Sequence, residues 1–192
     1  FRSCELTLEN IKHILQPEVL KHLDLVSFNG NLGDFALSSD GAEIVEYIIN
    51  NGTKVYINTN GSLRGAAWWA KLALPGVSVG FAIDGLADTH HLYRQDTDWN
   101  RIIEHAQAFI NAGGYAIWRF VPFKHNRHQE EDCKRLAEHM GFSKFENIYD
   151  GRDRGPVFDR DGTFSHWVGP VGEPEKHVPD IKELLQGHIA WY

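Results

Sequence analysis

Cysteine, methionine and positive charge are all scarce in this chain. Its 192 residues include two cysteines, Cys4 and Cys133, and one methionine, Met140. Two cysteines exclude a disulfide framework and a metal site built from three or four thiolates. So few cysteines are typical of the reducing cytoplasm, where we expect the protein to reside. The formal net charge of −7 argues against a nucleic-acid partner, because binding a phosphate backbone needs a basic surplus.

Long apolar runs are also absent, since no uncharged stretch approaches the ~18 residues that span a bilayer. We therefore expect no membrane partner. Hydrophobic residues make up 42% of the chain and charged residues 23%, which excludes disordered, collagen-like and coiled-coil proteins. The chain starts at Phe1, whereas an intact gene product starts with methionine, and no signal-peptide-like stretch follows. These features predict a fragment whose missing N-terminal piece carries part of the function.

Short apolar runs alternate with segments of helical periodicity between residues 7 and 150. Strands are predicted at 25–28, 54–58, 77–83, 115–121 and 145–149. Helices are predicted at 7–23 with a restart at Pro17, and at 38–52, 65–74, 99–112 and 128–140. Strands joined by helices of about 10–15 residues form parallel sheets with right-handed crossovers. This α/β pattern fits either a doubly wound sheet or a partial parallel β/α barrel.

Residues 151–192 differ in composition from the α/β region. They are rich in proline and glycine, and they also contain tryptophan and phenylalanine. We expect an irregular extension that packs over one face of the sheet, with a short helix near 181–186. The predicted organisation is therefore an α/β unit at 1–150, followed by this extension at 151–192.

Glycine and polar residues follow every predicted strand at its C-terminal end. They are Asn29, Gly30, Asn31, Gly33, Asp34, Asn58, Thr59, Asn60, Gly61, Asp84, Gly85, His125, Asn126, Asp150 and Arg152. In parallel α/β folds these strand ends converge on the ligand site, and the loops at the opposite edge of this chain are short and plain. The alternative interpretation is that these residues only make turns.

The chemistry of the first two loops favours a small polar ligand. The segment GNLGD at 30–34 lacks the lysine and the hydroxyl residue of a P-loop. An acidic residue beside glycine suits an ammonium group or a ribose hydroxyl. The TNG turn at 59–61 offers a hydroxyl, an amide and open backbone N–H groups, which suit a ribose or a carboxylate. Together the two loops predict an amino-acid-like or nucleoside-like ligand.

Four stretches contain the polar loops and the strands before them: VSFNGNLGDF at 26–35, KVYINTNGS at 54–62, VGFAIDGLADTHHLYR at 79–94 and WRFVPFKHN at 118–126. In their order and spacing these stretches resemble the radical S-adenosylmethionine (radical SAM) superfamily. The resemblance is greatest to members with a SPASM or twitch extension, and it covers roughly residues 5–150. It implies a partial β/α barrel of six strands in the family, of which about five are visible in this chain.

The resemblance implies a cofactor chemistry as well as a fold. In the family, a CxxxCxxC loop after the first strand holds a 4Fe–4S cluster that binds S-adenosylmethionine. Electrons from an external donor cleave this cofactor to a 5′-deoxyadenosyl radical, which abstracts hydrogen from the substrate. Members of the SPASM or twitch subgroup often modify peptides or proteins, so a peptide or protein substrate is expected here.

Particular residues acquire roles through the resemblance. Gly33 and Asp34 would hold the methionyl ammonium group through charge-assisted hydrogen bonds. The implied cofactor contacts are Gly33, Asp34, Asn58, Thr59, Asn60, Ala82 and Asp84. The implied contacts to the substrate or to a carboxylate are Arg94 and Asn126.

The chain also departs from the family pattern. It has no CxxxCxxC triad, so we expect no metal ligand in this chain and place the cluster cysteines upstream of Phe1. Asp34 stands where the family often has glutamate, and Ala82 stands where many members have serine, which removes one hydroxyl contact. The chain on its own is therefore expected to be inactive.

Two other functions stay open. One is a non-radical β/α-barrel lyase or aldolase, which would need a base such as lysine on a strand. The strands offer only Arg119 and Lys54, and Lys54 lies at the wrong strand end. The other is a degenerate barrel without a cluster that acts as a binding module. A cysteine triad upstream of Phe1 would separate the radical SAM hypothesis from this binding module.

Some residues have a structural interpretation beside a functional one. His125 and His128 are either part of a metal site or a helix cap and surface pair. Trp68 and Trp69 either stack against a base or pack a short helix onto the sheet. Cys133 lies on an apolar helical stripe and is expected in the core.

Overall fold

The computed structural model describes residues 6–30, 33–149, 155–159 and 161–168. The α-helices are α1 Leu8–Ile14, α2 Pro17–Leu20, α3 Gly41–Asn50, α4 Ala66–Lys71, α5 His90–Tyr93, α6 Trp99–Asn111 and α7 Glu130–Met140. The strands are β1 Leu25–Asn29, β2 Lys54–Thr59, β3 Val77–Ala82, β4 Tyr115–Phe120, β5 Lys144–Asn147, β6 Gly155–Phe158 and β7 Phe164–Val168. Short 3₁₀ turns lie at Phe35–Leu37 and Arg127–Gln129.

The main sheet has five parallel strands in the order β1-β2-β3-β4-β5, which is also their order along the chain. A doubly wound sheet reverses its strand order at a switch point, and this sheet does not. Because parallel crossovers are right-handed, an unreversed order puts the connecting helices on one face. The fold is therefore a partial β/α barrel, which confirms the predicted class and decides between the two architectures.

The two faces of the sheet differ in polarity, as expected for a barrel wall. On the outer face, strand side chains pack against the helices. Among them, Val55, Ile57, Phe81 and Trp118 have no exposed surface. Leu20 and the apolar stripes of α3, α6 and α7 complete this core. Residues of opposite parity point to the inner face, where Tyr56 and Asn58 of β2 are only half-buried.

One predicted helix begins later than its periodicity suggests. The prediction was 38–52, whereas α3 starts at Gly41 after the 3₁₀ turn Phe35–Leu37. The reason is tertiary, because the side chains of Ser38 and of the N-cap residue Asp40 bond to the start of α1. The Ser38 hydroxyl donates to Leu6 O at 2.9 Å, and Asp40 Oδ2 accepts from the Leu8 N–H at 2.8 Å. Both bonds tie the start of α3 to the start of α1.

The C-terminal extension contains structure that was not predicted. Strands β6 and β7 form an antiparallel hairpin, although this region was expected to be irregular. Asp161-Gly162 between them is a strong hairpin signal, and Gly162 has a φ of 81°. Val168 packs with Val121 and Phe123, just beyond the end of β4. The helix predicted near 181–186 lies outside the described residues, and the boundary between 1–150 and 151–192 stays a prediction.

None of the helices in the described part of the chain has the length and apolar character needed to cross a membrane.

Candidate functional site

A cavity of about 430 Å³ opens at the C-terminal edge of the sheet. It is lined by Gly30, Gly33, Asp34, Leu37, Asn58, Thr59, Asn60, Ser62, Leu63, Ala82, Arg94, Arg119, Val121 and Ile148. Seven of the nine residues predicted to bind cofactor or substrate are in this set. They are Gly33, Asp34, Asn58, Thr59, Asn60, Ala82 and Arg94. The other two, Asp84 and Asn126, are buried behind the cavity wall.

Asp34 joins the two loops that form one side of the cavity. Its carboxylate accepts the Thr59 hydroxyl (2.8 Å to Oδ2), the Asn60 N–H (2.9 Å) and the Ala36 N–H (3.0 Å). Arg64 adds a second tie, since its Nε donates to Ala36 O at 2.7 Å. An ionised carboxylate offers about four acceptor positions. The Thr59 hydroxyl is shared between the two oxygens, since it also lies 2.9 Å from Oδ1. Asp34 therefore positions both loops, and it also lines the cavity.

The turn after β2 is stabilised by its own side chains. Asn60 Oδ1 accepts from the backbone N–H of Ser62 at 2.9 Å and from its hydroxyl at 2.7 Å. Gly61 between them has a φ of 69°, and a Cβ at this position would lie 2.9 Å from the Phe81 ring. Only glycine meets both requirements without strain. The turn thus holds Asn60 and Ser62 at the cavity in a fixed conformation.

Arg94 supplies a positive charge to the cavity and is held by Asp84. Arg94 Nε donates to Asp84 Oδ2 at 2.7 Å, and the two side chains are 23% and 0% exposed. The other oxygen of Asp84 accepts the Val121 N–H at 2.6 Å. Both carboxylate oxygens are therefore in use. Asp84 acts on the cavity by positioning Arg94, and its carboxylate does not line the cavity.

A buried histidine supports the same pair from behind. Burial lowers the pKa of His90 to about 4, against a smaller opposing effect of Asp84, so its imidazole is neutral at pH 7. His90 Nδ1 accepts the Asp84 N–H at 3.1 Å, which assigns the ring proton to Nε2. Nε2 lies 3.1 Å from Thr97 Oγ1, and that hydroxyl donates to Arg94 O at 2.6 Å. This series of hydrogen bonds fixes the backbone at both Asp84 and Arg94.

Asn126 stabilises the loop after β4 instead of reaching the cavity. Its Oδ1 accepts the Phe123 N–H at 2.6 Å, and its Nδ2 donates to Val121 O at 2.9 Å and to Asp84 O at 3.2 Å. The side chain has no exposed surface. This amide thus joins the ends of β3 and β4.

Arg119 lines the cavity and was not predicted as a site residue. It stands in β4 beside Ala82 of β3, on the inner face of the sheet. The signal was present in the segment YAIWRFV, where alternation places Arg119 opposite the buried Trp118 and Phe120. A charged residue at that parity faces the barrel interior. Ser62 and the apolar wall residues Leu37, Leu63, Val121 and Ile148 were also missed.

Other residues singled out in the sequence lie away from the cavity. Cys133 has no exposed surface, and burial raises its thiol pKa to about 12, so it is a core residue. Trp69 is likewise fully buried and its indole N–H donates to Leu63 O at 3.0 Å. The His125 ring stacks on Phe123. No group of three His, Cys, Asp or Glu able to hold a metal occurs among the described residues.

Comparison with solved structures places this fold among known ones. It is similar to SuiB from Streptococcus suis bound to S-adenosylmethionine, with 17% identity, a TM-score of 0.64, and coverage of 76% of this chain and 35% of SuiB. It is also similar to anSMEcpe with bound AdoMet, with 16% identity, a TM-score of 0.57, and coverage of 84% and 48%. An archaeal TYW1 matches with 14% identity, a TM-score of 0.52, and coverage of 72% and 50%.

These neighbours are radical SAM enzymes. The chain has their fold. It spans between about a third and a half of the length of these solved structures. No protein-family model and no curated protein matches the chain.

Proposed function

We propose that the cavity binds S-adenosylmethionine and that the chain is part of a radical SAM enzyme. The observation that carries this proposal is the convergence of separate sequence motifs on one cavity. The four stretches that resemble the superfamily, at 26–35, 54–62, 79–94 and 118–126, all contribute lining residues. The similarity in fold to SuiB and anSMEcpe, both solved with this ligand, supports the same assignment.

The charges of the cavity match the aminoacyl end of S-adenosylmethionine. Asp34 supplies a negative charge at the cavity wall that attracts an ammonium group, and Gly33 beside it lets a ligand approach the backbone closely. Arg94 offers a guanidinium for the carboxylate, and its pairing with Asp84 keeps it in place. Asn58, Thr59, Asn60 and Ala82 complete the proposed cofactor contacts. Asp84 and Asn126 contribute by positioning other residues.

The 4Fe–4S cluster does not fit the described residues. It requires three cysteine thiolates, and Cys133, the one cysteine in the described ranges, is buried with its thiol pKa raised to about 12. In a radical SAM enzyme the cluster supplies the electron that cleaves the cofactor. We propose that its ligands belong to the parent protein outside this chain. Anaerobic reconstitution of this chain is thus expected to leave it without iron, and stoichiometric bound cluster would contradict this.

The substrate of the parent enzyme is proposed to be a peptide or protein. SuiB was solved bound to the precursor peptide SuiA, and anSMEcpe with the Cp18Cys peptide. An external electron donor is a further proposed partner. These proposals concern the whole protein.

Equilibrium dialysis with S-adenosylmethionine tests the proposed binding. The wild-type chain is expected to bind it, and Asp34→Asn should weaken binding by about tenfold or more, because a charge-assisted hydrogen bond contributes ~1.5–3 kcal/mol. Asp132→Asn is the matched control, since Asp132 is exposed on α7 and pairs with Arg135. No binding at millimolar cofactor, or equal affinity in both variants, would contradict the proposal.

The lyase alternative receives no support from the inner face of the sheet. A catalytic lysine must lose its proton, and Lys144 on β5 bonds Glu146 at 2.6 Å. That hydrogen bond and the charge of Glu146 raise the pKa of the Lys144 amine, so it stays protonated at neutral pH. The binding-module alternative is tested by sequencing about 30 residues upstream of Phe1 in the parent reading frame, enough for a strand and a loop. A CxxxCxxC motif there supports the radical SAM enzyme.

A further inference from the structure

We propose that Arg119 and Asn58 form a second subsite in the cavity, which binds a carboxylate group of the ligand. Arg119 has no role implied by the resemblance to the superfamily, whereas Asn58 is one of the proposed cofactor contacts. The carboxylate has two possible sources. If it belongs to the cofactor, the subsite rests on the proposed function. The other source is a substrate.

The register of the sheet places the two residues on its inner face, on either side of β3. Arg119 stands beside Ala82, and Asn58 stands beside Gly80. The Arg119 side chain crosses above Gly80, because a Cβ built on Gly80 would lie 2.7 Å from Arg119 Cδ, and closer still to the Tyr56 hydroxyl oxygen. Gly80 therefore provides the space through which Arg119 extends toward Asn58, and small Ala82 leaves the adjoining surface open to a ligand.

Arg119 has hydrogen-bonding capacity that the described residues do not use. Its Nε is buried and has no hydrogen-bond partner there. The nearest carboxylate oxygen, Glu146 Oε2, lies 3.8 Å away, which is too far for a hydrogen bond. Glu146 instead binds Lys144 Nζ at 2.6 Å. Because an unpaired buried donor is costly, a ligand acceptor at this point stabilises the site.

The positive charge of Arg119 is only partly neutralised, because its ion pair with Glu146 is long (3.8 Å) and Glu146 also binds Lys144. Burial raises the pKa of Tyr56, and the charge of Arg119 and a hydrogen bond with its side chain oppose this only in part. The phenol is thus un-ionised at neutral pH and does not neutralise the guanidinium. By contrast, the second cation of the cavity, Arg94, is directly paired with Asp84 at 2.7 Å. Arg119 therefore offers a cation to a carboxylate in the cavity, with a longer ion pair than that of Arg94.

Asn58 supplies the second hydrogen-bonding group. Its Oδ1 is also buried without a partner among the described residues. The oxygen and nitrogen of an asparagine amide exchange places by a flip, so this side chain can offer an N–H to an anion. A guanidinium fork with an adjacent amide matches the planar, singly charged carboxylate. A phosphate dianion fits less well, because Asp34 lines the same cavity and Glu146 lies beside Arg119.

The test measures binding to the folded chain by NMR titration with three probes. These are N-acetylglutamate, its neutral counterpart N-acetylglutamine, and S-adenosylmethionine. Arg119→Gln removes the charge, and Gly80→Ala keeps the charge but displaces the side chain. Arg135→Gln on α7 is the control, since Arg135 is exposed and lies outside the cavity. Circular dichroism confirms that each variant folds.

A carboxylate from the substrate predicts one pattern and a carboxylate from the cofactor another. In the first, wild-type protein prefers N-acetylglutamate over N-acetylglutamine by about tenfold, and both cavity variants lose the preference. In the second, both cavity variants bind S-adenosylmethionine about tenfold more weakly. Either pattern supports the subsite. The first would do so even if wild-type protein bound no S-adenosylmethionine, an outcome that contradicts the proposed function alone.

The proposal is overturned if Arg119→Gln and Gly80→Ala bind all three probes as Arg135→Gln does. It is also overturned if wild-type protein shows no carboxylate preference and binds no S-adenosylmethionine.

Discussion

The ion pair between Asp84 and Arg94 gives a prediction about stability that runs against the usual effect of burial. Asp84 has no exposed surface, whereas the Arg94 side chain is 23% exposed. Substituting the more buried residue of a pair normally costs more. Here we expect Arg94→Met to destabilise the fold more than Asp84→Asn, because each substitution leaves a different charge without its partner.

The magnitudes follow from what each variant leaves behind. Arg94→Met leaves a fully buried carboxylate with one remaining donor, the Val121 N–H. Breaking a buried pair in this way costs ~3–5 kcal/mol. Asp84→Asn keeps the acceptor for Val121 and leaves a guanidinium that water can reach. That change costs only the charge-assisted hydrogen bond, ~1.5–3 kcal/mol.

Urea unfolding of the two single variants and the double variant measures these costs. The double variant removes both charges, so it should be more stable than Arg94→Met alone. For a chain of this size, each kcal/mol shifts Tm by ~2–4 °C, which makes the difference measurable by heating as well. The reasoning is refuted if Asp84→Asn costs as much as Arg94→Met. Additive costs in the double variant would show that the two side chains do not interact.

Three further predictions concern buried groups. The free energy of unfolding should be level above pH 7 and should fall as the pH is lowered from 6.5 to about 4. Burial lowers the pKa of His90 and His125 to about 4 in the folded protein, so the unfolded chain takes up these protons first as the pH falls. In urea titrations the slope should reach at most roughly 1.4 kcal/mol per pH unit for each histidine, and an unchanged slope in His90→Gln would count against this. In a Cys4→Ser variant, Cys133 should react with Ellman's reagent only as the protein unfolds, and rapid labelling of folded protein would show that the thiol is accessible. Trp69→Ala should lower the free energy of unfolding by ~3–5 kcal/mol, and a loss below ~1 kcal/mol in urea unfolding would mean that the surrounding core collapses into the space.

The elements of the α/β region could be predicted because their signals are local. Helical periodicity and apolar runs gave the five strands of the sheet and its longer helices to within a few residues. Where a boundary was wrong, a distant contact was responsible. The Ser38 hydroxyl binds the start of α1, so it does not cap a helix at the predicted start, and the helix begins after Asp40 instead. The hairpin after β5 had a local signal in Asp161-Gly162 that the surrounding prolines and glycines obscured.

The candidate site could be predicted as a set of loops but not as a set of contacts. Residues at the C-terminal strand ends converge in any parallel sheet, and seven of those predicted to bind ligand do line the cavity. Which of them face the cavity depends on hydrogen bonds formed between loops. Asp84 and Asn126 look like the others in sequence, yet their polar atoms are hydrogen-bonded within the protein. Asp84 binds Arg94 and Val121, and Asn126 binds Phe123.

The sequence by itself determined that this protein is an α/β protein with its polar loops at one edge of a parallel sheet. Periodicity and turn chemistry act over a few residues, so they can be read along the chain. Only the tertiary structure decided that the sheet is a barrel wall, because strand order is set by pairing between segments far apart in sequence. It also decided that Arg119 enters the cavity above Gly80, since that approach depends on the register of neighbouring strands.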